Sequence, residues 1–381
     1  MMKKLALTVF FDVFALMLLG LIIVMSASST YSAFKFESTF HLFNSHLLKV
    51  FMGLFFLLIF CFIPYEIYKY YSKWALLAMA AVLILTLIFA PNIKGAGRWL
   101  DLGIITVQPA DIAKLVLIIH LAALIEQKQE FISDFKQGYL YAFIWVMFIS
   151  GLIFIQPNIS TGALLVVISL TILYVGGAKF KHIALSSLFS LFVAGGFAMM
   201  FAHSRSRILG FIKAMSDGGD LNIQVKQALY GLGSGGLAGV GIGNSKQNNL
   251  FLPEAYGDFI FAILGEEMGF LGSVIVLLSY LVLFVAGILI AKRAKDRFGQ
   301  LLAFGITFSI AIYAFVNVAV TTGLLPTTGL PLPFISYGGT SIIFLSISIG
   351  ILINIAIMNS KRENEIQVNS EKMIKSEDLK R

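Results

Sequence analysis

Apolar runs long enough to cross a bilayer recur along nearly the whole chain, near residues 6–27, 47–63, 74–90, 107–125, 139–155, 162–176, 183–201, 259–290, 299–322 and 340–357. A helical crossing needs about 20 such residues to span roughly 30 Å of hydrocarbon. Only helices and closed barrels satisfy their own backbone there, and runs of this length are helical. Of the 381 residues, 58% are hydrophobic and 13% charged, against about 25% charged in soluble domains. Soluble folds are thereby excluded. The expected fold is all-α: a polytopic membrane protein of about ten transmembrane helices, with long outer loops.

The first run follows Lys3 and Lys4 and ends at Ser26-Ala27-Ser28, but it is longer than the apolar core of a signal peptide and is followed by further spans, so an uncleaved first helix is expected. The net charge of +8 does not point to nucleic acid, because the cations collect in alternate short loops. Lys69 and Lys73, Lys128 and Lys136, Lys179 and Lys181, and Lys292 to Arg297 mark one side, whereas Lys35, Lys94 and Arg98 are the main cations of the other. The positive-inside rule puts both termini in the cytoplasm. Residues 1–358 form one transmembrane domain with a large periplasmic loop over 202–258, and 359–381 a charged cytoplasmic tail, mobile or weakly helical from Asn364 onward. Cys61, the single cysteine, lies within a span, so no internal disulfide can form.

Three outer segments, 91–111, 202–258 and 323–339, are rich in Gly and Pro yet keep apolar residues, and irregular backbone near a bilayer survives only against protein or water. They are expected to fold over one cavity. Within them Leu252-Pro253-Glu254 leads to Asp258 at the entrance of an apolar helix. A carboxylate with little water behind it suits a general base or a metal ligand, and an Asp at this place equally suits a helix N-cap. Glu266 and Glu267 lie deeper, where an ionised side chain costs about 2.5–3.5 kcal/mol, so they require partners within the bundle.

Lys94-Gly95-Ala96-Gly97-Arg98-Trp99 joins two cations to permissive glycines, a pattern fit either to hold phosphate or to anchor at the interface. Asp111 and Lys114, three apart on one helical face, are expected to form a structural ion pair. Gly231-Leu232-Gly233-Ser234-Gly235-Gly236 matches a dinucleotide fingerprint by spacing only, since no βαβ unit surrounds it; with Gly239, Gly241 and Gly243 it reads as turning backbone that lines a cavity or approaches a ligand. Pro326 to Gly339 reads as a re-entrant loop, with Ser336 or Tyr337 touching substrate. Asp12 is a packing partner for a buried cation. The five scattered histidines have no zinc spacing, and the sequon at Asn158-Ile159-Ser160 is taken as chance.

In this order, Lys94-Gly95 with Arg98-Trp99, Gln108-Pro109, Gln156-Pro157, the run Gly231 to Gly243, Leu252-Pro253-Glu254 with Asp258-Phe259-Ile260-Phe261, and Leu325 to Gly339 resemble the SEDS family of bacterial cell-wall proteins. The likeness is greater to its division branch, FtsW, than to its elongation branch, RodA. The resemblance implies a peptidoglycan glycosyltransferase that polymerises lipid II, an undecaprenyl-diphosphate-linked disaccharide-pentapeptide, at the outer face of the bacterial inner membrane and at the division septum. It implies a class B penicillin-binding transpeptidase and other divisome proteins as partners and Asp258 as the catalytic residue; Lys94, Arg98, Gln224, Glu254 and Ser336 are the expected substrate contacts. Assistance by a divalent cation, Mg or Mn, is a further implication. Asp111 stands where the family has glutamate, Asn158-Ile159-Ser160-Thr161 replaces an Asp-containing Gly-Thr motif, and Tyr256-Gly257 replaces His-Thr. A lipid II flippase and a non-catalytic scaffold for a transpeptidase remain the alternatives.

Overall fold

The computed structural model describes residues 1–90, 97–101, 106–216, 222–248, 251–252 and 255–378, with side chains described through Arg362 and not at Asp101. A helix stands at each of the ten expected spans: α1 (Met2–Phe36), α2 (His41–Phe62), α3 (Glu66–Phe89), α4 (Pro109–Gln127), α5 (Leu140–Ile155), α6 (Ile159–Val175), α7 (Phe180–Met200), α10 (Ile260–Arg293), α11 (Arg297–Thr321) and α12 (Ser341–Asp378). Eight of the helices are long and apolar enough to cross a membrane, one of them counting the π-helical turn Phe135–Tyr139 with α5. The other two are α6, with 17 residues, and α4, which carries Asp111, Lys114 and Glu126. Several helices begin before their apolar run, as α3 does at Glu66, because hydropathy marks the hydrocarbon slab whereas helices continue through the interface until a cap stops them. The charged tail is likewise a continuation of α12 to Asp378.

Contacts between loops define the two ends of the bundle. At one end Arg362 pairs with Glu66 and lies 3.9 Å from Asp296, Asn354 Oδ1 accepts from Tyr65 N at 3.0 Å, and Arg297 donates to the Val175 carbonyl at 3.0 Å. This end gathers the cations of the expected inner loops. Helices α1 and α10 run antiparallel, since Ser279 Oγ donates to Asp12 Oδ1 at 2.6 Å while Ser26 Oγ donates to Glu267. Met2 therefore lies at the same end as Arg293. Asp12 has a hydroxyl as its partner in place of the expected cation.

The outer segment 202–258 contains two helices that hydropathy did not reveal, α8 (Ala202–Ser216) and α9 (Ile223–Ser234). The overlong eighth run is two helical segments, 260–268 and 270–293, broken at Gly269, whose φ of 68° and ψ of −167° are open essentially to glycine alone. The break exposes the carbonyls of Glu266 and Glu267 and the N–H groups of Phe270 and Leu271. The glycine run satisfies all four: Val240 N and Gly241 N donate to the carbonyls, each at 3.0 Å, while the carbonyls of Gly236 and Leu237 accept from Phe270 N at 2.9 Å and Leu271 N at 3.1 Å. The glycines are thus needed for approach to another backbone, not to a ligand; a Cβ on Gly269 would sit 2.6 Å from the Leu237 carbonyl oxygen.

The two carboxylates complete this joint. Glu266 accepts from Ser245 Oγ at 2.5 Å, Lys246 N at 3.0 Å, and Ser234 Oγ and Gln247 N at 3.3 Å; Glu267 accepts from Ser26 Oγ and from Gly243 N at 3.1 Å. Their partners are hydroxyls and amides, which lower the cost of burial without a cation. Gly269→Ala is expected to lose on the order of 1–3 kcal/mol from backbone strain alone, read as a lower melting temperature in detergent; an unchanged melting temperature would contradict this joint.

Segment 326–339 dives between α1 and α10. Gly20 makes room for it, because a Cβ there would lie 2.7 Å from the Phe334 carbonyl oxygen. Tyr280 OH donates to the Pro333 carbonyl, and Leu332, Phe334 and Ile335 are buried. The expected re-entrant strap is present, with its polar backbone shielded by protein as the hydrocarbon requires.

Candidate active site

Outside the cation-rich end, a cavity of about 630 Å³ is lined by Arg98, Trp99, Asn158, Arg207, Asp258 and Gly329, among others. Its walls come from Arg98 and Trp99, just before the short strand Leu100–Asp101 (Leu100 paired with Val107), the α5–α6 turn, α8, the residue before the α10 region and the strap. The three outer segments thus fold over one chamber, and the α5–α6 turn, outside them, supplies a further wall.

Asp258 precedes α10 and stands half-buried at the chamber wall. Its backbone is pinned: Asn317 Nδ2 donates to the Asp258 carbonyl and to the Leu330 carbonyl, each at 2.8 Å. No side-chain cap is made at the N-terminus of α10, where Phe259 occupies the cap position. Asp258 stands one residue before that cap position. Opposite it lies Gly329, at φ 74°; a Cβ added there would be 3.4 Å from Asp258 Oδ2 and 3.7 Å from Arg207 Nη1. Glycine at this place leaves open the gap between carboxylate and guanidinium.

Arg207, on α8, donates from Nη1 to the Thr327 carbonyl at 3.4 Å. Burial lowers its pKa and the attraction of Asp258 opposes that shift. Arg98 donates from Nε to the Gln156 carbonyl at 3.1 Å and from Nη2 to the Pro157 carbonyl; burial, and then repulsion by Arg207, lower its pKa. His203 feels the same field, with Arg207 the largest influence, burial next and Arg98 third, all lowering its pKa. Two guanidiniums lining one chamber make a site for an anion. Asn158, buried and with its Nδ2 atom unpaired, is a further donor on the wall. If Arg207 sets the field, Arg207→Met should move the titration of His203 upward, toward its ordinary value, and by more than Arg98→Met does; histidine-selective NMR reads both shifts.

The expected contacts divide. Arg98 and Asp258 share the chamber, whereas Lys94 and Glu254 lie outside the described residues. Ser336 is 3% exposed and occupied: it accepts from Leu332 N at 2.7 Å and donates to the Gly257 carbonyl at 2.8 Å. It ties the strap to the residue before Asp258, and a hydroxyl so engaged has no hydrogen left for substrate. Gln224 is in the first turn of α9, capped by Asn222 at 3.0 Å, and is not among the chamber lining. Asp111 and Lys114 are 3.9 Å apart and buried, with Lys114 Nζ 4.1 Å from the Tyr313 ring centre. They sit away from Asp258, between α4, α11 and α12.

Sequence reasoning passed over Arg207, His203, Asn317 and the role of Asn158. Arg205 and Arg207 in an otherwise part-apolar outer segment, and an Asn inside the apolar α11, were the available signals.

Residues 6–361 match the FtsW/RodA/SpoVE family, described as cell cycle protein. The chain belongs to this family. Among similar family members, stage V sporulation protein E of Bacillus subtilis (strain 168) is 34% identical over 90% of this chain and 94% of its own length. The probable peptidoglycan glycosyltransferase FtsW of Geobacter sp. (strain M18) is 36% identical over 88% of this chain and 92% of its own. In structure the chain is similar to one from work on the structural coordination of polymerization and crosslinking by a peptidoglycan synthase complex, with TM-score 0.74, 22% identity, and 92% and 97% of the two chains covered. Thermus thermophilus RodA, a rod shape determining protein, gives TM-score 0.68 at 22% identity, covering 91% and 95%. These two likenesses establish the family's polytopic fold for the chain.

Proposed function

We propose that this protein is a peptidoglycan glycosyltransferase that polymerises lipid II into glycan strands for septal wall synthesis. The observation that carries the reading is the Asp258 carboxylate beside Arg207 and Arg98 in one outer cavity. A base and an anion site side by side are what glycosyl transfer from a diphosphate needs. The acceptor hydroxyl oxygen bonds to the anomeric carbon of the donor sugar while its proton passes to Asp258. The bond from that carbon to the diphosphate oxygen breaks, and its electron pair leaves with the diphosphate, which the guanidiniums stabilise.

The cation-rich end of the bundle faces the cytoplasm in this reading, with both termini, and the chamber faces the periplasm. A class B penicillin-binding transpeptidase and other divisome proteins are the partners at the septum of the bacterial inner membrane. A divalent cation is not built into the chemistry. Among the described residues no three His, Cys, Asp or Glu side chains gather to hold one, and the described acidic group of the chamber stands among guanidiniums, a poor donor set for Mg or Mn.

The deciding experiment supplies purified protein, with and without its transpeptidase, with lipid II. Longer glycan is the expected product. Relocation of labelled lipid between leaflets without new glycosidic bonds would make the protein a flippase, and neither result would make it a scaffold.

A further inference from the structure

Two residues before Asp258, Tyr256 opens a second polar cluster that belongs to none of the functions above. Tyr337 N donates to the Tyr256 carbonyl at 2.9 Å, and the rings of Tyr256 and Tyr337 stand 5.7 Å apart, edge to face. Tyr31 of α1 follows on the other side of Tyr256, at 5.3 Å. The row ends in a lysine on both sides. Lys35 Nζ donates to Tyr31 OH at 3.1 Å, and Lys49 Nζ donates to Tyr337 OH at 3.2 Å and lies 4.5 Å from that ring's centre.

Lys49 is the unusual member. It lies two turns inside α2, half-buried, and among the described residues it forms no ion pair. Its polar contacts among the described residues are neutral: the phenol and ring face of Tyr337, and, beside it, Ser45, whose Oγ is 3.3 Å from the same phenol oxygen. One turn away His46 is fully buried, and neither ring nitrogen has a hydrogen-bond partner; its ring is 5.7 Å from that of Tyr337. A cation at the edge of the hydrocarbon with no counter-charge among the described residues is a costly arrangement that an anion would relieve. The half-buried ammonium points to a phosphate group, and the phenols between Lys49 and Asp258 offer ring edges and hydroxyls suited to a sugar.

We propose that Lys49 and Tyr337 bind the diphosphate of the second lipid-linked substrate, the glycosyl acceptor, with its disaccharide laid along Tyr337 and Tyr256 toward Asp258. This rests on the polymerase reading. The acceptor's reacting hydroxyl and its own diphosphate lie at opposite ends of its disaccharide, so a polymerase needs two anion sites with the base between them. Arg98 and Arg207 take the donor's diphosphate, which departs; Lys49 takes the acceptor's, which stays attached to its sugar and undergoes no bond change.

The test counts bound molecules and needs no turnover. Wild-type, Lys49→Met and Lys49→Arg proteins in phosphatidylethanolamine nanodiscs are titrated with undecaprenyl diphosphate, and occupancy is read by native mass spectrometry. Wild type and Lys49→Arg should bind two molecules, and Lys49→Met one with the first affinity retained. Phosphatidylglycerol in a parallel titration should fill neither position. Two molecules on Lys49→Met, one on wild type, or loss of both from Lys49→Met overturns the proposal, and phosphatidylglycerol filling the Lys49 position makes it an ordinary lipid headgroup site. With lipid II, Lys49→Met should raise KM by about tenfold or more while kcat at saturation stays near wild type. A protein that binds two diphosphates yet lengthens no glycan would refute the polymerase reading and leave the two-site geometry standing.

Discussion

Asp258→Asn protein, given lipid II, is expected to polymerise about 10²–10⁴-fold more slowly than wild type, the range that a positioned general base contributes. The substitution keeps the shape of the side chain and removes its negative charge, and with it the ability to take a proton. Its backbone anchor through Asn317 does not involve the side chain, so the fold should survive, and an unchanged melting temperature would separate lost chemistry from lost structure. Diphosphate binding should persist, because Arg98 is held by the carbonyls of Gln156 and Pro157 independently of the carboxylate. Polymerisation at the wild-type rate would remove Asp258 from the mechanism.

Arg207→Met should lower kcat by about 10²–10³-fold, as loss of one preorganised donor to developing charge does elsewhere. The physical reason is its place: its Nη1 atom and the Asp258 carboxylate face the same gap beside Gly329. Negative charge grows on the leaving diphosphate only as the bond breaks, so the effect should fall on kcat more than on KM. Arg207→Lys should recover part of the rate, since charge returns without the planar fork. Equal losses in the Lys and Met variants, accompanied by a lower melting temperature, would mean that Arg207 serves only to hold α8 against Thr327.

The membrane-spanning scaffold was legible because hydrocarbon imposes one pattern on every span, and each apolar run became a helix. Chamber residues were legible where charge stood out against that background, as at Arg98 and Asp258. What escaped has a common cause: α8 and α9 are neither apolar throughout nor marked by a strong repeat, so Arg207 had no visible place until the chain folded. Gly269 looked like any helix glycine, and only its positive φ reveals one run to be two segments. Ser336 was misjudged because a hydroxyl in a Pro-Gly strap looks available, whereas backbone burial in a membrane engages every such group that can reach a carbonyl or amide.

One amide nitrogen, on Asn317, grips both the peptide that carries the base and the strap that roofs the chamber. The roof is therefore yoked to the catalyst. Under the proposed mechanism, a strap that lifted to let product out would tug the carboxylate from its station, so that release and disarming would coincide.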